Sequence, residues 1–254
     1  MYGRTFEEIS KTNRPQKFAR TWGEIRHCVN HRKFKLTYLQ LLKDHHVTIK
    51  TSRTDKARLF LSNGKLIVKY NDNYGFLDSN ESFDLPSNMD IEIFGDKFSE
   101  FFVFSKNNIK VYIQSSSIKS KSSQGFQLPE GKLSKIGIAT FDEREKYWGR
   151  IETIFSGEIV GKVLYINQGI QGSLEYHLEK VESYYIHSGE LSVGLRFGRA
   201  EDKSVILSAG DSFVIESGTM HSRLGMTDCK VIEISNRDND ADSFLVSDGK
   251  LINV

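Results

Sequence analysis

The chain has 254 residues, enough for one large core or for two modest ones of about 125 residues each. Its 35 Lys+Arg against 33 Asp+Glu leave a formal net charge of +2, which supplies no field for nucleic acid or a membrane surface; the expected partners are a small molecule and a second copy of the chain. Cys28 and Cys229 sit in no paired motif and the sequence carries no apolar signal core, so a disulfide framework, a secretory leader and a membrane span are not expected, and a cytoplasmic location is.

In chain order, helix is expected only near Thr5–Ser10 and around Trp22. The two tryptophans are each followed by glycine, Trp22-Gly23 and Trp148-Gly149, which prompts a search for a repeat. Gly64 lies 42 residues after Trp22 and Gly189 lies 41 after Trp148, and both read as tight turns between strands. Residues 80–91 lie over 210–221 without a gap, and Phe101–Ser105 lies over Val231–Ser235. The chain therefore reads as a tandem duplication.

Each copy is rich in short strand signals. Ala57–Leu61, Leu66–Tyr70 and Phe101–Phe104 mark the first; Lys162–Ile166, Ser183–His187, Leu191–Arg196 and Val205–Leu207 mark the second. Strands this short, separated by Gly, Asn, Asp and Ser, predict an all-β sandwich or barrel with little helix. Between the copies, Ser115–Gly125 is rich in Ser and Lys and reads as a surface connection, with a phosphate-binding patch as the alternative. The expected domains are 1–120, without metal ligands, and 121–254, with them.

The chemistry concentrates between Gly169 and His221. Glu175 and His177 are two apart and share a face on a strand. Glu182 reaches the same side if Leu178–Val181 turns the chain, and His221 closes the set from another strand. Two imidazoles and two carboxylates make a ligand set for a divalent metal. Arg223, two after His221, and Lys162 are candidates for binding an anionic group. Glu175 is either a ligand or a base.

These spacings resemble the two cupin motifs: Gly169, five residues, Glu175, one, His177, four, Glu182, six, Gly189; then Gly210, five, Glu216, one, Gly218, two, His221. Within the cupins, residues 141–248 are most similar to the mannose-6-phosphate isomerase type, through Tyr147-Trp148-Gly149, Lys162, Ser173–His177, Glu182, Ile215–His221 and the acidic ending Asp240–Phe244. The sequence departs from that type at Glu175 for Gln, Lys180 for Arg, Tyr184 for Trp and Leu245 for a late Arg, and Glu216 stands at the usual Pro of the second motif. The resemblance implies two jelly-roll barrels and a divalent Zn, Mn or Fe ion on Glu175, His177, Glu182 and His221. It also implies an isomerase or epimerase acting on a sugar or sugar phosphate, with Glu175, Arg223 and Lys162 as catalytic candidates, and a homodimer. Two other readings are carried beside it: a non-catalytic carbohydrate-binding or sensor module, and an iron-dependent dioxygenase. Laid on the first copy by the glycine turns, the ligand positions fall on Lys50, Ser52 and Ala57, with Ile91 for His221. His45 and His46 are adjacent, point to opposite faces of a strand and make a poor chelate.

Overall fold

A computed structural model describes residues 5–54, 56–106, 110–112, 133–196 and 202–251. The chain is almost entirely β and divides into two compact units, residues 16–140 and residues 1–15 with 141–254. Each unit is a jelly roll of two sheets. In the first unit, Lys17–Arg20, Gly23–Asn30, Lys35–Leu41, Ser99–Ser105, Ala57–Asn63, Glu81–Leu85 and Ile138–Ala139 form a seven-stranded sheet in that spatial order. Facing strands include His46–Lys50, Asp90–Gly95, Lys65–Tyr70 and Asn73–Asp78. One apolar cluster draws Leu39, Leu59, Leu61 and Val103 from one sheet and Ile49, Val68, Ile91 and Ile93 from the other, so the core lies between them.

The second unit repeats this scheme strand for strand. Asp142–Lys146, Gly149–Phe155, Val160–Ile166, Cys229–Ser235, Glu182–Ser188 and Ser212–Ile215 make one sheet; Lys203–Ser208, Glu190–Arg196 and Met220–Gly225 belong to the other, with the short Leu174–Tyr176 paired to Met220–Gly225. Gly23 and Gly149 sit at φ +145° and +141°, at the start of equivalent strands. A Cβ on Gly23 would lie 2.0 Å from the Gln40 carbonyl oxygen, and one on Gly149 would lie 1.9 Å from that of Tyr165. Only glycine tolerates both that dihedral and that approach, which is why glycine follows each tryptophan.

Three expectations change. Trp22 stands in a tight turn between Lys17–Arg20 and Gly23–Asn30, not in a helix; the helix is Phe6–Ile9, capped by Thr5 and Glu8 in a reciprocal capping box. The domain boundary lies at 140/141 rather than 120, because Ser134–Lys135 pairs with Asn73–Asp78 and Ile138–Ala139 with Glu81–Leu85. The first fifteen residues join the second unit: Asn13 and Ser212 exchange backbone hydrogen bonds of 2.9 and 2.7 Å, and Phe6 and Ile9 pack on the second core. The Ser/Lys stretch 115–125 lies outside the described residues. Among the described residues, no helix is long and apolar enough to cross a membrane.

Candidate metal centre

The site is built where Leu174–Tyr176 meets Met220–Gly225. Glu175 lies directly across from His221 in the register, and His177 follows two residues on. Ligand atoms of Glu175, His177 and His221 all lie within 4.8 Å of one another, the one such group among the described residues. Glu182 begins its strand beside them: its Oε1 is 2.9 Å from His221 Nε2 and its Oε2 is 3.9 Å from His177 Nε2. The four sequence-predicted metal residues are thus brought together.

What brings Glu182 round is Asp242. Its buried carboxylate accepts the backbone N–H groups of Leu178 at 2.9 Å, Glu179 at 3.2 Å and Lys180 at 2.8 Å, holding the turn that carries the chain from His177 to Glu182. The same residue's carbonyl oxygen accepts from His177 Nδ1 at 2.8 Å, and the Thr219 carbonyl accepts from His221 Nδ1 at 3.0 Å. A carbonyl only accepts, so both Nδ1 atoms donate and both Nε2 atoms face the carboxylates of the site. Such hydrogen bonds orient metal-ligating imidazoles.

The carboxylates carry their own cations. Arg223 pairs with Glu175 and stacks over Trp148 at 5.4 Å; Ser243 donates to the other Glu175 oxygen at 3.1 Å. Lys180 pairs with Glu182 and, at 2.9 Å, with Glu233, while the Tyr184 hydroxyl donates to Glu182 Oε1. Burial pushes the Glu175 carboxyl up, but the Arg223 guanidinium and the His221 imidazole hold it below its ordinary value. Burial opposes ionisation of Glu182 too, and the Lys180 ammonium, with His221, holds that carboxyl well below its usual range. Lys180 and Arg223 are both held above their ordinary values despite burial, Lys180 by Glu182 and Glu233, Arg223 chiefly by Tyr184 and Glu175. Both carboxylates are therefore anionic at neutral pH, as ligands must be.

Lys162 is placed differently. It is buried and pairs with Asp238 at 2.6 Å, so its charge is already answered. Leu245 is exposed and lies across from Glu175 in the register. Sequence reasoning gave no role to Asp242, Tyr184, Lys180 or Glu233, although Asp242 stood within the acidic ending.

The donors suit a divalent ion. His221 Nε2 is buried 2.9 Å from Glu182 Oε1, and two imidazoles with one carboxylate are the facial set used by mononuclear metal centres.

No protein-family model matches the sequence, and a search of curated proteins finds no significant match. Solved structures do match. The chain is similar to Bacillus subtilis oxalate decarboxylase: the structure in which its Mn(II) centres are assigned gives a TM-score of 0.70 at 12% identity, over 91% of this chain and 77% of that one. A deletion mutant of the same enzyme gives 0.69 with the same identity and coverage. A structure concerned with the substrate binding mode of oxalate decarboxylase gives 0.70 at 12% identity, again over 91% and 77%. These likenesses establish the fold: two jelly-roll β-barrels in tandem.

Proposed function

We propose that the second barrel is the centre of a metal-dependent enzyme, holding a divalent Mn, Fe or Zn ion through Glu175, His177 and His221, with Glu182 beside them. The observation that carries this is the convergence of ligand atoms of Glu175, His177 and His221 within 4.8 Å of one another, with both imidazoles oriented by carbonyl acceptors at Nδ1. A bound ion would act as a Lewis acid on a carbonyl or hydroxyl oxygen. The resemblance to the mannose-6-phosphate isomerase type implies a sugar or sugar phosphate as substrate and its isomerisation or epimerisation as the reaction. In this reading Arg223 is a holding residue: the guanidinium beside Glu175 favours its anionic form, and the guanidinium itself lies over Trp148. Arg223 and Lys162 both spend their charge on internal carboxylates, so a substrate phosphate would be held by other groups.

A second reading, an iron-dependent oxygenase, is favoured by the composition of the trio itself, two histidines and one carboxylate. Metal analysis of the purified protein, followed by NMR of aldose and ketose phosphates, separates the two. Interconversion of a sugar supports the isomerase; bound iron with oxygen consumption on a small acid supports the oxygenase. A metal-loaded protein that binds sugars without converting them is a recognition module, and absence of metal binding removes the enzyme reading.

A further inference from the structure

Glu182 occupies the position that the motif spacing assigns to a metal ligand, yet its carboxylate is the most heavily engaged in the site. It is fully buried, with 1% exposure. Oε2 is paired with the Lys180 ammonium and Oε1 accepts the Tyr184 hydroxyl. Lys180 has nowhere to withdraw: its side chain is almost completely buried, a second carboxylate, Glu233, holds Nζ at 2.9 Å, and Asp242 holds its backbone N–H at 2.8 Å. Glu175 differs. Arg223 reaches only its Oε1, Oε2 has only the Ser243 hydroxyl at 3.1 Å, and its side chain keeps 20% exposure. Glu182 lies nearer to His221 Nε2 than Glu175 does, at 2.9 Å against 4.0 Å, so the two carboxylates differ in their cations and exposure and not in reach.

A divalent ion on Glu182 would share one carboxylate with a fixed ammonium. A second cation on the same carboxylate as a buried ammonium is repelled by it across a short distance in a low-dielectric site, so the ion settles where that repulsion is smallest. We infer that Lys180 withdraws Glu182 from the metal, leaving a three-ligand centre of Glu175, His177 and His221, and making Lys180 a positioning residue that sets the number of open coordination positions. Glu182 then serves as the charge partner of the two imidazoles. This inference rests on the second barrel being a metal centre.

The test is a double-mutant cycle read as Mn(II) affinity, by calorimetry and by the EPR signal of free Mn(II), with circular dichroism to verify folding. Loss of a true ligand costs far more than loss of an outer partner, which weakens binding by about ten- to a hundredfold. Glu175→Gln is expected to weaken Mn(II) binding by more than about a hundredfold, and Glu182→Gln, which keeps the shape and the acceptor for Lys180, by about tenfold or less. Lys180→Met frees Glu182 and is expected to tighten Mn(II) binding by about tenfold or more; in that background Glu182→Gln becomes as costly as Glu175→Gln is in the parent. Should Lys180→Met fold poorly because Glu233 is left alone, Lys180→Met with Glu233→Gln makes the same comparison. The inference is overturned if Glu182→Gln and Glu175→Gln weaken binding equally in the parent protein, or if freeing Glu182 leaves affinity unchanged. The underlying metal reading fails separately: a parent that binds no Mn(II) sinks it, and then Mn(II) binding by Lys180→Met alone would still uphold the role of Lys180, whereas binding by neither would overturn both.

Discussion

The two barrels have the same strands in the same order with the same register, and opposite interiors. Glu182 pairs with Ser235 and Ile215; its counterpart Ala57 pairs with Ser105 and Leu85. Following the ladders, Glu175, Glu182, Tyr184, His221, Arg223 and Glu233 correspond to Ile49, Ala57, Leu59, Ile91, Ile93 and Val103. All six of the latter belong to the apolar core of the first unit. The scaffold thus needs no polar interior to fold. The buried ions of the second barrel are an addition, and ion pairs of this kind are poor stabilisers compared with apolar packing; their retention argues for a use.

Each unit holds one tryptophan, Trp22 buried in the first and Trp148 in the second, so Trp→Phe variants let fluorescence follow either unit alone. The largest expected effect is on the second: Arg223→Met leaves Glu175 as a partly buried charge without its cation and should lower that unit's stability by about 3 kcal/mol in urea titration. A loss below about 1 kcal/mol would show that the ionic interior is not a coupled network. Next, Asp242→Asn replaces a carboxylate that accepts three backbone N–H groups with an amide that has one acceptor oxygen; the expected cost is about 1.5–3 kcal/mol. Mn(II) affinity should fall by about tenfold with it, and unchanged affinity would break the claim that Asp242 sets the ligand geometry. In the first unit, Ile91→Val should cost only about 0.5–1.5 kcal/mol, as a simple deletion from an apolar core, and leave metal binding untouched; any change in metal binding would mean that the silent barrel contributes to the site. The smallest change at neutral pH is an acid slope. Glu175 and Glu182 have folded values below their ordinary value of 4.5, so their contribution is complete above about pH 4.5 and is lost as pH falls through the lower folded values. Trp148 should report acid unfolding with this slope, while Trp22 reports no contribution from the six apolar counterparts.

The repeat, the strand content and the convergence of Glu175, His177, Glu182 and His221 were legible because they depend on spacing within short segments. Where spacing across strands mattered, the reading slipped. Counting from the glycine turn puts Lys50 at the Glu175 position and Ser52 at that of His177. The ladder puts Ile49 there, since Ile49 faces Ile91 as Glu175 faces His221, and Thr51 takes the His177 place. One residue of slip changes an exposed lysine into a core isoleucine. Lys180, Tyr184, Glu233 and Asp242 were out of reach for a related reason. Glu233 beside Lys180 and Asp242 beneath the 178–180 turn act on neighbours 50 or more residues away, while Lys180 and Tyr184 both reach Glu182 two residues away across a turn and along a strand, contacts that spacing alone does not reveal.

The discontinuity of the second unit has a consequence for how the molecule is made. The first unit is one unbroken segment that emerges early and can fold on its own schedule. Asn13, by contrast, must wait for Ser212, 199 residues later, which at ordinary rates of synthesis is ~10–40 s. Asp242, which sets both the His177 tautomer and the approach of Glu182, emerges later still. The donor set of the second unit is therefore complete only once Asp242 has been made, about a hundred residues after the last strand of the first unit, Ile138–Ala139.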